Sequence, residues 1–228
     1  MLVQRNLSQP HTIQTDREDT LAGAKQNQPL GGGRLESRGI SPSQVMADLG
    51  ILQEGDPLLC QVARPFDLPT EAGDACRVVA GLNSAAERVV QAHIFSKGMG
   101  LAAPQIGIDR AAVIVRTSRG DRITLLNPRI VEASATEDEQ YEGCLSFFDV
   151  RGKVPRPLTI GVEYADLDGR KHITVFERGT ARLVAHEVDH LEGHLYRDRM
   201  RPGIEPISVE EYRGTGKSWT YGPTSSGS

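Results

Sequence analysis

The sequence predicts an α+β domain: short, mostly antiparallel strands packed around a central metal-binding helix, with a long helix ahead of them. Three observations carry this expectation. The first is His186-Glu187-Val188-Asp189-His190, an H-E-x-x-H run in which Val184, Val188, Leu191 and Leu195 recur at spacings of four, three and four. That stripe marks a helix buried on one side. The second is a set of β-branched runs divided by turn signals between residues 112 and 177. The third is the series Val78, Leu82, Ala85, Val89 and Ala92, alternating spacings of four and three. Strands gathered before one chemically distinctive helix, with another helix upstream, fit α+β rather than an alternating chain.

In chain order, residues 1–42 are polar, rich in Gln, Gly and Ser, and include Gly31-Gly32-Gly33. Such a segment cannot bury enough apolar surface to offset its ordering, so a disordered N-terminal extension is expected. Ser43 is placed to cap a short helix over Gln44-Val45-Met46-Ala47, and Thr70 with Glu71 to start the long helix, which runs to about Ser96 with Gly81 as its weak point. The stretch from Gly98 to Gly107 breaks the helical pattern. Its close glycines admit another backbone and Pro104 forbids an interior helical turn, which leaves structural turn and binding loop equally open. Strands are expected at 112–116, 122–126, 129–132, 158–164 and 171–177. The domain then spans 43–203, and the polar stretch 204–228 reads as a flexible tail.

The net charge of −4, with both signs interspersed, offers no basic stripe for nucleic acid. No apolar run approaches the roughly 20 residues that cross a bilayer. No signal-peptide pattern opens the chain, and Asp16, Glu18 and Asp19 disfavour a transit peptide, so a cytoplasmic location is expected. The three cysteines, Cys60, Cys76 and Cys144, are too few and odd in number for a disulfide framework. Cys60 and Cys76 read as buried, inert thiols.

On a helix, His186 and His190 share one face and can reach a common ion, while Glu187 sits beside it, placed to take a proton from water. Catalytic sites of this kind keep three protein ligands, so one is missing. Glu210, 20 residues past His190, would suit a zinc endopeptidase. The longer H-E-x-x-H-x-x-G-x-x-H pattern holds as far as Gly193 but fails at Tyr196, with His194 two residues early. Cys144, in Glu142-Gly143-Cys144-Leu145-Ser146, offers a thiolate, a strong ligand for iron or zinc.

Gly98-x-Gly100-Leu101-Ala102-Ala103-Pro104-Gln105, Glu142-Gly143-Cys144-Leu145-Ser146 and the H-E-x-x-H run, in that order, resemble the three motifs of peptide deformylases. Weaker likenesses extend the match to roughly residues 50–202: Ile51-Leu52 through Gly55-Asp56-Pro57-Leu58-Leu59, Val150-Arg151-Gly152 with Val154-Pro155-Arg156, and Asp198-Arg199-Met200. The resemblance implies removal of the formyl group from the N-terminal formyl-methionine of new polypeptides. It implies Cys144, His186 and His190 as ligands of one divalent ion, Fe2+ first and Zn2+ or Ni2+ as substitutes. Glu187 would be the base, and the Gln105 side chain and Leu145 N–H the oxyanion donors. Gly98, Met99, Gly100, Leu101 and Gly143 would hold the N-formylated peptide, and the ribosome near its exit tunnel is the further partner implied. Glu142 and Arg156 are expected to pair and fix the cysteine segment, and Asp189 to orient an imidazole or support the helix end.

The sequence departs from the family pattern in several places. Ala185 stands where Gln is usual, which predicts a lost hydrogen bond behind the ligands, and Phe147-Phe148-Asp149 replaces the commoner apolar-Pro-Gly. Gly179, Arg182 and Gln140 stand where the family tends to present apolar residues to the methionine side chain. A weaker methionine preference is therefore expected. A paralogue that binds peptides without turnover remains the non-enzymatic alternative.

Overall fold

A computed structural model describes residues 40–216. The extension expected over 1–42 therefore lies outside the described residues as far as residue 39, as does the chain from 217 on. Helix α1 spans Pro42–Asp48 and is capped not by Ser43 but by Ser41, whose Oγ accepts from Gln44 N, with Pro42 in the first turn where its missing N–H costs nothing. Ser43 Oγ instead accepts from the backbone N–H groups of Phe148 and Asp149, at 2.7 and 3.2 Å.

The long helix is α2, Ala72–Ala92. Ala75, Val78, Leu82, Ala85, Ala86 and Val89 form its buried face, as the spacing required. It stops four residues short of Ser96. His93 turns extended, and its ring packs edge-on against Phe95 and Phe148 at 4.8 and 5.0 Å, so aromatic contacts replace the last helical turn.

A five-stranded antiparallel sheet has the order β1-β2-β3-β6-β7, with β1 Gly98–Ala102, β2 Ala112–Thr117, β3 Arg122–Ala133, β6 Thr159–Ala165 and β7 Lys171–Glu177. The stretch left open between turn and loop is thus the edge strand β1, with Gly100 opposite Val115. The two short strands expected at 122–126 and 129–132 are one strand, broken by a bulge at which Asn127 takes a φ of 50°. The Asn127 side chain clasps Phe66, accepting from its N and donating to its O, which holds this uncommon conformation.

The smaller sheet holds β4 Glu137–Cys144, β5 Phe147–Pro157 and β8 Ile207–Ser208. Composition gave no sign of β4, because its Glu and Asp residues are poor strand formers. They are retained in strand form by buried arginines on β5 and on the next helix. The span read as a flexible tail from 204 holds β8, which pairs with Val150 and Arg151, and then α4, Val209–Gly214. Ser208 caps α4, and Val209 is buried. Cys60 and Cys76 are exposed, contrary to their reading as buried thiols.

Helix α3, Arg178–Leu191, packs against strands of both sheets. From Ala181 to Leu191 every residue but Leu183 is buried, so the one-sided stripe understated its enclosure. Leu195 lies beyond its end, among Cys144, Phe147 and Tyr196. No helix among the described residues is long and apolar enough to cross a membrane.

Candidate active site

Enclosure of α3 brings its polar residues into the interior opposite the β4–β5 turn. Cys144 ends β4 and pairs in register with Phe147, leaving Leu145 and Ser146 as the turn. Its Sγ lies 3.2 Å from His190 Nε2. Sγ and one ring nitrogen from each of His186 and His190 lie within 4.8 Å of one another, and all three residues are buried. This is the cluster of potential metal ligands found among the described residues, and it joins a thiol from a hairpin to two imidazoles one helical turn apart. Glu210 is exposed on α4 and takes no part in it.

The donor set fits a divalent ion. His186 Nδ1 is committed to Glu142 Oε2 at 2.9 Å, which leaves Nε2 as the ring's coordinating atom. A thiolate with two neutral imidazoles is a borderline-soft set suited to iron, zinc or nickel. His190 Nδ1 is buried with no protein partner, and the neighbouring position 185 holds an alanine that offers none. Burial and then the charge of His186 push His190 well below the usual imidazole range.

Glu142 is the carboxylate bonded to an imidazole of the cluster; Asp189, expected to orient an imidazole or support the helix end, takes the second role. Arg156 grips Glu142 with two bonds of 3.0 Å, and Arg182 Nη1 donates to it at 2.7 Å. Asp189 accepts from Arg156 at 2.6 Å and from Arg199 at 3.0 and 2.7 Å. Arg182, 1% exposed, ends the chain of charges on Asp138 of β4. Burial opposes the Glu142 charge, but Arg156 and the bonded His186 overcome it and hold its carboxyl well below the usual range.

Gln105 sits in a 3₁₀ turn, Ala103–Ile106, with its Oε1 fixed by Ala102 N at 2.9 Å. That bond aims Nε2 at the β4–β5 turn, 3.2 Å from Ser146 Oγ and 3.6 Å from Cys144 Sγ. Glu187 Oε2 is buried without a partner, and burial pushes its carboxyl up to about 7. A carboxyl tuned to neutrality beside three potential ligands is suited to accept and return a proton.

A cleft of about 190 Å³ opens onto these groups. Gly98, Met99, Gly100, Gln105, Gly143, Cys144, Leu145, His186 and Glu187 all line it. Leu101 does not: its side chain is in the core, and only its backbone lies on the sheet edge. Lys97, Tyr141 and Tyr212 also line it, and Phe148 carries Arg151 stacked at 4.5 Å over its ring. Tyr212 escaped sequence reading because it stands in the presumed tail, and Lys97 because it adjoins a glycine motif without belonging to it.

Residues 49–204 match the family model for polypeptide deformylase. The chain belongs to the polypeptide deformylase family. A peptide deformylase of Lactobacillus helveticus is 35% identical over 175 residues, covering 71% of this chain and 94% of the relative. One from Desulforudis audaxviator is 34% identical over 154 residues, covering 68% and 94%. Among solved structures, the class I type b peptide deformylase from Acinetobacter baumannii bound to Met-Ala-Ser superposes with a TM-score of 0.54 at 31% identity, over 66% of this chain and 96% of that one. The actinonin complex of a peptide deformylase from Synechococcus elongatus gives 0.58 at 29% identity, over 67% and 79%. The deformylase fold thus accounts for the two sheets and the central helix, and a single metal ion is the family's cofactor.

Proposed function

We propose that this deformylase hydrolyses the formyl amide at the N-terminus of formyl-methionyl nascent polypeptides, releasing formate. The observation that carries the reading is the buried Cys144, His186 and His190 cluster with the unpartnered Glu187 carboxyl beside it. Fe2+ is the ion we assign, with Zn2+ or Ni2+ as working substitutes. When bound, such an ion polarises a carbonyl and lowers the pKa of water.

The chain's own residues supply the rest. Glu187 takes the proton of the attacking water and delivers it to the departing amine nitrogen. Gln105 Nε2 and the Leu145 backbone N–H are our donors to the developing oxyanion. The open edge of β1, from Gly98 to Leu101, receives the peptide backbone as an added strand, with Gly143 facing it. Arg182, on the cleft wall in place of an apolar residue, weakens the preference for methionine; Gly179 and Gln140 are not among the residues that line the cleft. We place the enzyme in the cytoplasm, acting near the ribosomal exit tunnel.

Formate release from formyl-Met-Ala-Ser by anaerobically purified protein tests the reading. Turnover that vanishes on chelation and returns with Fe2+ is expected; cleavage of an internal peptide bond in place of formate release would overturn it. For specificity, kcat/KM on formyl-Met, formyl-Ala and formyl-Leu tripeptides is compared, and a strong methionine bias would count against the weakened preference.

A further inference from the structure

The turn that presents Cys144 is held from outside its hairpin. Leu145 and Ser146 are the two turn residues, and neither takes a positive φ. Two-residue hairpins favour primed turns, whose twist suits the flanking strands and which require a positive φ. This turn therefore does not sustain itself, and its carbonyls find partners in a stretch remote in sequence, residues 52–54. Leu52 N donates to Gln105 O at 2.8 Å and Glu54 N to Ser146 O at 2.7 Å. Between them, the Gln53 side chain donates to Leu145 O at 3.3 Å.

Gln53 has the most specific effect of the three. Its Nε2 donates to the carbonyls of Ile51 and Leu145, at 2.9 and 3.3 Å, while its Oε1 is buried without a partner. The opposite amide orientation would set an oxygen against two carbonyl oxygens, so the residue serves here as a donor. Leu145 O and the Ser146 N–H belong to one planar trans peptide and point to opposite sides of it. With the oxygen drawn toward Gln53, the N–H faces the other way, onto Cys144 Sγ at 3.5 Å. Rotation of that plane would exchange the donor for an oxygen facing the sulfur. Gln105 Nε2 lies 3.6 Å from the same sulfur. Hydrogen bonds to a ligating sulfur draw charge from it and tune what it gives an ion.

We propose that Gln53 is a positioning residue for the metal centre: by holding the Leu145–Ser146 peptide it keeps an N–H on the Cys144 sulfur and limits the charge that this ligand donates. The proposal rests on the reading of Cys144 as a ligand. Gln53 is not among the residues that line the cleft, so it acts through the turn and not on the peptide substrate.

The test loads the enzyme with Co2+, whose thiolate charge-transfer band reports how electron-rich the sulfur is. Gln53→Met keeps the length of the side chain and removes both donor hydrogens, whereas Gln53→Lys keeps a donor. The band is expected to move to longer wavelength in Gln53→Met and to stay near the parent position in Gln53→Lys. Cobalt affinity, measured by competition with a chelator, should fall about tenfold in Gln53→Met. Formate release should lose kcat with KM unchanged. In the Zn2+-loaded parent, the Ser146 amide proton is expected to resonate downfield of a free amide, a measurement that needs no substitution and stands if a variant fails to fold. A Gln53→Met band at the parent wavelength, an equal shift in Gln53→Lys, or a Ser146 amide proton at the free position would overturn the proposal. A parent enzyme without a thiolate band would overturn the assignment of Cys144 as a ligand, and this inference with it. The expected shift in an enzyme that releases no formate would count against the deformylase reading alone.

Discussion

Gly100 on β1 and Glu187 on α3 occupy one another's space: a Cβ at position 100 would stand 2.5 Å from Glu187 Cγ. The carboxyl is therefore held against the edge strand by the absence of a side chain there. Gly100→Ala should displace Glu187 and lower kcat by about a hundredfold, as a misplacement of roughly 1 Å does elsewhere. Metal content should be retained, and thermal unfolding should register about 1–3 kcal/mol of overpacking.

Glu187→Gln keeps the shape but removes the proton acceptor. The expected loss in kcat is about a hundred- to ten-thousandfold. Metal content should stay near one equivalent by elemental analysis, whereas Cys144→Ala should lose the ion along with activity.

Gln105→Ala removes a proposed oxyanion donor and leaves Ala102 N without its bond. We expect kcat to fall about a hundred- to a thousandfold with a smaller change in KM. A further loss of about 1–3 kcal/mol in stability, from the stranded buried N–H, should appear in denaturant titration.

Glu142→Gln would leave Arg156 and Arg182 buried without their shared counter-charge. Breaking a buried pair from one side costs about 3–5 kcal/mol, so the variant should unfold at markedly lower denaturant than the parent and bind its ion more weakly.

Lys97 gives stability a distinctive dependence on pH. Its folded pKa, about 8, lies below the unfolded value of 10.5, so between those limits the unfolded chain binds the extra proton. Stability contributed at this residue therefore rises with pH from about 8 to 10.5. Lys97→Met should flatten that rise in melts taken across the interval.

What the sequence discloses depends on how locally each feature is encoded. His186, Glu187 and His190 lie within five residues on one helix, so periodicity alone placed them. Cys144 reaches the same point from a hairpin whose acidic strand matches no strand propensity, and only the resemblance joined it to them. Adjacency in sequence offers Asp189 two roles, imidazole partner or support of the helix end, and only the fold decides between them by turning its carboxylate toward Arg156 and Arg199. β8 escapes the sequence because a two-residue strand gains its order from pairing with β5, which composition cannot signal.

The alternating series Arg199–Asp189–Arg156–Glu142–Arg182–Asp138 braces α3, β4, β5 and the segment after α3. Its six charges come from four segments of the chain and act as one network, so a change at either end reaches the helix that carries the two imidazoles through its neighbours.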